Sequence, residues 1–513
     1  MDTELFLTKQ EREQLALYRE IISEAQAVLP VAERVAKRAA GAPLVDAVNL
    51  KRISLLTGRN YTSVYRTYTA LVATLTQMTG GDSAIQAMFA FDSGQVRMAL
   101  IEQNIVFNTL RAMLTDKYAR LADFAAATNF SKTTVSRHIK PLAGLANFMG
   151  VRLRLETLQV SGPEANIRLF FTVAFWLATD GAAWPFVTID RNEATVLLNH
   201  GLASFDFAFS NPVVKELGLY ALAVVKNRVH QGFVLNTPGG AMVSFPVPNL
   251  FADKSSPFQK FGIHLTREQQ FAESHFLFDL DYQLPLYQTA DDPRLEQVVL
   301  RFKRYQNGLY RLVTGTIDQL PSEWVPAIIP LKSKMVLANM LAIASSTILY
   351  GFDIAGLTHL SGAATKTQDD PQANEVRQVL ENSLRATIAL NDLTDFTPAV
   401  PALVNSLSAL FGHLVHVLTP PQKVKVALMI TPTLADYLDL SLFLTQQAFV
   451  EVVGERYEDA DLIISSTGLP VPSHVRPDTQ IFQWQADASS DLFGALYAVL
   501  HALHRRAPAL VLV

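Results

Sequence analysis

One stretch, residues 121–142 (LADFAAATNFSKTTVSRHIKPL), constrains the fold most, because its apolar positions fit two short helices joined by a tight turn. The inward positions of the first helix are Leu121, Phe124, Ala125 and Thr128. The inward positions of the second helix are Val135, Ile139 and Leu142. Ser131 stands where a hydroxyl accepts hydrogen bonds from the first free amides of the second helix. Pro141 has no amide hydrogen and is expected to end or kink that helix.

The predicted outer face of the second helix carries small hydroxyl groups and cations, which suit a helix that enters the major groove of DNA. These residues are Lys132, Thr133, Thr134, Ser136, Arg137 and Lys140. An ordinary helical hairpin with a solvated polar face would give the same short pattern. We interpret the stretch as a helix-turn-helix unit in which these six side chains are candidate DNA contacts.

A β-hairpin is predicted directly after this unit. Residues 151–156 alternate apolar and charged side chains, and a second alternation ends at residues 161–162. Helix, turn, helix and hairpin is the order of a winged helix. Arg152 and Arg154 would then lie on the wing beside the phosphate backbone. A basic hairpin on any protein surface is the alternative interpretation.

A second helix-turn-helix candidate lies nearer the amino terminus. Leu50, Ile53 and Leu56 are predicted to form one apolar face, residues 57–60 the turn, and residues 61–75 the next helix. Outward positions are predicted for Arg59, Thr62, Ser63, Tyr65 and Arg66. Further candidate DNA contacts are Arg59, Thr62, Ser63 and Arg66. A core helix with exposed tyrosines is the rival interpretation, and the pattern does not decide whether both units contact DNA.

The charge distribution supports a nucleic-acid-binding segment in an otherwise mildly acidic chain. The whole chain has a net charge of −4, yet residues 51–160 carry 13 Lys and Arg against six Asp and Glu. Residues 401–513 carry six basic and ten acidic groups. A basic block joined to acidic segments is the electrostatic pattern of a DNA-binding end attached to other domains.

The remaining segments predict a mainly α, multidomain protein. Residues 8–40 should form a helix broken near Pro30. Residues 100–118 should form the first helix of the predicted winged-helix domain. Long apolar windows after residue 163 predict two helical bundles. Predicted strands at residues 424–430, 449–454 and 460–466 alternate with helices, which indicates a small parallel sheet. The predicted domains are residues 1–82 (helix-turn-helix), 83–162 (winged helix), 163–292 and 293–418 (bundles) and 419–513 (α/β).

Composition and motifs argue against an enzyme. With no cysteine, the chain has no disulfide, thiolate zinc site or thiol nucleophile. Metal-ligand spacings, phosphate-binding loops and nucleophile elbows are also missing, so we predict no metal and no cofactor. The start MDTELFLTKQEREQ does not resemble a signal peptide, and polar residues interrupt the long uncharged runs. We therefore expect a cytoplasmic protein without a membrane span.

Histidines are the remaining candidates for chemistry, since a neutral imidazole is nucleophilic near neutral pH. Those in the predicted bundles are His200, His230, His264, His275 and His359. An isolated histidine in a helical bundle is more often a hydrogen-bonded packing residue. Histidine phosphorylation is therefore a hypothesis that the residue type alone does not establish.

The segment order, together with SKTTVSRHIKPLAGLANFMGVRL and VSGPEANIRLFF, resembles the Mga-type virulence regulators of Gram-positive bacteria, which include the anthrax toxin activator. In that family a serine-rich recognition helix leads into a short wing, then a glycine, an acid and an Ile-Arg pair. Gly162, Glu164, Ile167 and Arg168 occupy those places. The resemblance is specific over residues 118–172, and the other segments match by architecture.

The resemblance implies a cytoplasmic transcription regulator with two phosphotransferase-regulation (PRD) domains and a terminal domain like enzyme IIB. It also implies dimerisation through that terminal domain and phosphorylation of histidines by the phosphocarrier HPr. The implied acceptors are His200, His264 and His275 in the first bundle and His359 in the second. The loop at residues 431–433, where such a domain would carry a phospho-cysteine, has none, so its chemistry is expected to be lost.

We therefore predict a homodimeric regulator that binds double-stranded DNA. A phosphotransferase component that passes phosphate to a sugar is one alternative, which the missing cysteine disfavours. An interaction scaffold with helix-turn-helix units that bind no DNA is another.

Overall fold

In a computed structural model the chain is mainly helical and forms two compact units. One unit comprises residues 1–313 and 337–365, and the other comprises residues 314–336 and 366–513. The structure describes residues 5–40, 42–206, 211–237, 245–261, 264–283, 287, 292, 294–305, 307–322, 333–352, 371–418, 423–430, 434–467, 469–470, 472, 474–485 and 490–506.

Five helices open the first unit. They are α1 (Lys9–Val28), α2 (Val31–Ala39), α3 (Leu50–Thr57), α4 (Tyr61–Met78) and α5 (Ile85–Met88). Thr8 starts α1 through a capping box with Glu11, which satisfies two otherwise free backbone amides. The predicted break near Pro30 is confirmed, because α1 ends at Val28 and α2 begins at Val31.

The next five helices include the predicted helix-turn-helix stretch at residues 121–142. They are α6 (Ser93–Glu102), α7 (Ile105–Thr115), α8 (Leu121–Thr128), α9 (Lys132–His138) and α10 (Lys140–Phe148). The single helix predicted over residues 100–118 is wrong. Its expected course is divided at Asn104, whose side chain accepts hydrogen bonds from the amides of Val106 (2.8 Å) and Phe107 (3.3 Å) and so begins α7 anew.

A two-stranded antiparallel hairpin, β1 (Arg152–Arg154) and β2 (Gln159–Ser161), confirms the predicted strands after α10. Four longer helices follow: α11 (Glu164–Thr179), α12 (Arg191–Phe205), α13 (Pro212–His230) and α14 (Arg267–Gln283). Aromatic rings fill the space beside α11 and α13, where Tyr220 lies edge-on to Trp176, Trp184 and Phe186 at centroid distances of 5.6, 5.7 and 5.2 Å. This packing gives α11 a rigid base.

Among the described residues of the next segment there are five more helices: α15 (Arg294–Tyr305), α16 (Gly308–Asp318), α17 (Ser333–Tyr350), α18 (Pro371–Leu390) and α19 (Val400–Leu418). The helical texture predicted for this region is confirmed among the described residues. The division into two PRD-like bundles at residues 163–292 and 293–418 stays a prediction.

The second unit contains a parallel sheet of four strands: β3 (Val424–Met429), β4 (Val450–Gly454), β5 (Leu462–Ser465) and β6 (Gln480–Gln483). The strand order is β4-β3-β5-β6, and the helices α20 (Leu434–Thr445) and α21 (Ser490–Arg506) belong to the same segment. Val426, Leu462, Ile464, Leu440 and Leu496 form its buried core. The predicted parallel sheet is confirmed, but β6 was missed because its sequence QIFQ is short and half polar.

The apolar face predicted for the amino-terminal helix-turn-helix candidate is partly wrong. Ile53 is buried, whereas Leu56 is 68% exposed and its neighbour Leu55 is 83% exposed. The helices α1 and α4 contact α3, and Ile53 is the residue of α3 that is buried. Within the described residues, no helix is both long and apolar enough to cross a membrane.

Candidate nucleic-acid interface

The turn between α8 and α9 is built by two polar residues. Asn129 ends α8 with a left-handed backbone (φ +58°), a conformation that asparagine tolerates better than most residues. Two residues later the Ser131 hydroxyl accepts a hydrogen bond from the Thr134 amide at 3.1 Å and so begins α9. The cap predicted at Ser131 is confirmed.

The inner face of α9 is fully buried. Val135, Ile139 and Leu142 are at most 2% exposed, and α9 contacts α7 and α8, which bury Leu121 and Phe124. The helix ends at His138, and Pro141 lies in the first turn of α10, where its missing amide costs nothing. The inward positions of the second helix and its end before Pro141 are therefore as predicted.

The outer face formed by α9 and the first residue of α10 turns its polar groups to solvent. Lys132, Thr133, Arg137 and Lys140 are exposed. Thr134 and Ser136 are half-buried. The Arg137 guanidinium contacts the neighbouring His138 ring at 3.3 Å. Among the described residues no carboxylate forms an ion pair with the three cations of this face, so their charge is uncompensated.

The wing carries two further exposed cations. In the hairpin Arg152 pairs with Ser161 and Arg154 with Gln159, and both arginines are exposed. The Arg154 Nε donates to the Ser161 hydroxyl at 3.2 Å, which holds one guanidinium along the hairpin. Leu158, at the turn, is 1% exposed and fixes the wing against the domain.

The four candidates of the amino-terminal unit lie on a different helix pair. Thr62 and Arg66 are exposed, whereas Ser63 is half-buried. Arg59 is less exposed than its predicted outward position suggests, because its side chain is 25% exposed and lies 3.6 Å from the Glu20 carboxylate. The exposed rings of Tyr61 and Tyr65 stack at 6.3 Å on the same face of α4.

The candidate histidines have unlike surroundings. His200 on α12 is half-buried, with its Nε2 3.3 Å from the Ser256 hydroxyl and its ring 6.0 Å from that of Phe258. His264 is exposed, and burial lowers the pKa of His275 on α14. His359 and the loop at residues 431–433 lie outside the described residues. No three His, Asp or Glu side chains in the described part of the chain are arranged to hold a metal ion.

A buried ionic cluster, not foreseen from the sequence, anchors the helix that follows the wing. Arg168 is 1% exposed, and its guanidinium donates to Glu273 on α14 at 2.6 and 2.8 Å and to Glu164 at 3.1 Å. Arg228 on α13 donates to the same Glu164 carboxylate at 2.9 and 2.6 Å. Burial alone would lower the pKa of Arg168, but the two carboxylates raise it above its ordinary value.

A second unforeseen residue joins the base of the wing to α17. The buried Asn166 amide donates to the Met149 carbonyl at 2.9 Å and to the Tyr350 carbonyl at 2.8 Å. Beside it the Phe148 and Phe352 rings meet at 5.8 Å. The spacing of Glu164 and Arg168 signals a helical pair. Contacts such as Arg168–Glu273 and Asn166–Tyr350 join residues far apart in sequence and leave no local signal.

A helix-turn-helix with an uncompensated cationic helix, followed by a two-stranded wing, defines the class of winged-helix DNA-binding domains. Residues 89–175 match the family model described as the Mga helix-turn-helix domain. The matched segment extends from just before α6 into α11, so this part of the chain is similar to the Mga helix-turn-helix domain, consistent with the resemblance. The comparison with curated proteins gives no match to this chain.

Proposed function

We propose that this protein is a transcription regulator that binds double-stranded DNA with α9 in the major groove and the β1–β2 wing on the phosphate backbone. The observation that carries the proposal is the set of exposed cations on α9, at the start of α10 and on the wing, none of which pairs with a carboxylate among the described residues. Proteins that neutralise DNA phosphates use such cations, and groove-facing helices read bases with short polar side chains.

The roles of the side chains follow from their positions. Base readout is assigned to Thr133, Thr134, Ser136 and Arg137. Phosphate contacts are assigned to Lys132, Lys140, Arg152 and Arg154. On the amino-terminal unit Thr62 and Arg66 present the exposed polar groups of a second contact, with Ser63 beside them. Arg59 would first have to leave Glu20.

The test is DNA binding by the Arg137→Ala/Lys140→Ala double variant, measured by fluorescence anisotropy on a promoter fragment selected from the source genome. We expect binding to weaken at least about tenfold, since a base contact contributes about 1–3 kcal/mol. The slope of log K against log salt should fall by about 0.9 for each lost phosphate contact.

The matched control is Lys215→Ala/Lys254→Ala, which removes two exposed cations from the helical region behind the domain. It should leave both affinity and salt slope unchanged. If the α9 variant binds like this control at every salt concentration, α9 does not contact DNA and the proposal fails.

Regulation is the finer part of the proposal. We assign residues 163–292 and 293–418 to PRD-like domains and residues 419–513 to an enzyme IIB-like domain through which the protein dimerises in the cytoplasm. HPr would phosphorylate His200, with His264, His275 and His359 as further acceptors. His200 is the first choice because the resemblance implies it and because it is half-buried on α12, with its Nε2 3.3 Å from the Ser256 hydroxyl.

A further inference from the structure

A cavity of about 310 Å³ lies between the DNA-binding domain and the helical region behind it. Thr115, the last residue of α7, lines one side, and the carboxyl-terminal turns of α13 line the other. Lys260, in a short 3-10 helix at Pro257–Phe261, also lines it. The volume is at the lower end of the range for small-molecule sites.

The lining of this cavity is cationic. It includes Lys226, His230 and Lys260, and it contains no aspartate or glutamate. Lys226 is ion-paired with Glu193, whose side chain is 42% exposed and stands beside the cavity lining. Lys260 is exposed and forms no ion pair within the part of the chain that the structure describes. Lys260 therefore gives the cavity an ammonium group without a carboxylate partner, which favours a negatively charged occupant.

Two lining side chains also have unused acceptors. Asn227 donates to the Thr188 hydroxyl at 2.7 Å, and Gln231 donates to the Leu114 carbonyl at 2.8 Å. The side-chain carbonyl oxygens of these two amides are buried and accept no hydrogen bond from any described residue. Buried acceptors without a donor are unfavourable, so the site is completed by an occupant that brings hydroxyl groups.

We propose that this cavity binds a small anion that also carries hydroxyl groups, such as the phosphate ester or the carboxylate of a polyol. Lys260 receives the anionic group beside Lys226 and His230, and Asn227 and Gln231 accept from the hydroxyls. The site goes beyond DNA binding and can be measured without DNA. Because α7 also contacts α9, an occupant that joins α7 to α13 acts directly on the framework of the recognition helix.

The test is isothermal titration calorimetry of the full-length protein with three probes: glucose 6-phosphate, gluconate and inorganic phosphate. We expect saturable binding of at least one hydroxylated probe, with inorganic phosphate at least about tenfold weaker because it brings no polyol hydroxyls. Binding of glucose 6-phosphate alone assigns a phosphate ester, and binding of gluconate alone assigns a carboxylate. Both results support the site.

Two lysine variants locate the binding. Lys260→Met breaks no described ion pair, so it should fold normally and still weaken binding, and Lys226→Met/Lys260→Met should weaken it at least about tenfold. The control Lys215→Met/Lys254→Met makes the same charge change outside the cavity and should bind normally. The proposal is overturned if no probe binds at millimolar concentration, if inorganic phosphate binds as tightly as the others, or if the cavity variants match the control.

Discussion

Gly162 illustrates how single residues fix the wing to the body of the domain. Its φ is +148°, and a Cβ at this position would lie 2.7 Å from the Gly150 carbonyl oxygen. Only glycine satisfies both the backbone angle and the close approach of the two chain segments. The glycine is therefore required by the geometry at the end of β2, whatever the wing contacts.

We expect Gly162→Ala to lower the free energy of unfolding by about 3 kcal/mol, because it adds a steric clash to an unfavourable backbone angle. The matched control is Gly58→Ala, where φ is +65° but no atom lies within 4 Å of the added Cβ. It should cost about 1 kcal/mol. Urea unfolding followed by tryptophan fluorescence measures both. Equal costs would show that the wing base relaxes around the added methyl.

The element that transmits the position of the wing is α11. It begins two residues after Gly162 and is held by the Glu164–Arg168–Glu273–Arg228 cluster between α13 and α14. Such a buried cluster favours one arrangement of α11, α13 and α14, since each buried charge needs its oppositely charged partners. Removal of one partner leaves an unpaired buried charge, whereas removal of both does not.

A double-mutant cycle tests this cluster. Glu273→Leu alone should destabilise the protein by about 3–5 kcal/mol, and Arg168→Met/Glu273→Leu should cost less than the sum of the single variants. Denaturant midpoints of the four proteins give the coupling. The control is Glu381→Leu, which disrupts the exposed pair with Arg385 and should cost less than about 1 kcal/mol. A Glu273→Leu variant as stable as this control would contradict the role of the cluster.

At the scale of helices and strands, the sequence patterns predicted those features that depend on local interactions. The cap at Ser131, the buried face of α9 and the hairpin were predictable because each depends on residues a few positions apart. Leu56 was wrongly placed inside, since burial depends on what packs against α3. The division at Asn104 was missed because one capping side chain outweighed a continuous apolar pattern.

In the candidate site, too, local features were predictable and contacts between residues distant in sequence were not. The exposed cations of α9 and the wing could be predicted from periodicity alone. Glu20, which lies 3.6 Å from the Arg59 guanidinium, is too distant in sequence to be foreseen as its partner. The amides of the polar cavity are invisible for the same reason, because their partners Thr188 and Leu114 come from other segments.

At the scale of the whole molecule, a basic DNA-binding domain is joined to a mildly acidic carboxyl-terminal segment in one chain. In the proposed control by phosphorylation, a charge added in the helical region would change the assembly state of the whole protein. A phosphoryl group on His200 adds close to two negative charges beside a packed helix, which is enough to favour a different assembly state.

Incubation with phosphorylated HPr should therefore place acid-labile phosphate on the wild-type protein and on the His264→Ala and His275→Ala controls, but much less on His200→Ala. Phosphate mass spectrometry identifies the acceptor, and analytical ultracentrifugation measures the monomer–dimer equilibrium of each sample. We expect the equilibrium to shift only in proteins that retain His200. A wild-type protein that gains no phosphate would remove this mode of control.

One amide group of Asn166 donates to both the Met149 and the Tyr350 carbonyls, which come from segments about two hundred residues apart. Its two N–H bonds are fixed at one angle on one nitrogen, so they behave as a rigid fork. The carboxyl-terminal end of α17 cannot shift without tilting the hairpin or breaking one of these two hydrogen bonds. Any movement of α17 that the hairpin does not follow therefore breaks a hydrogen bond.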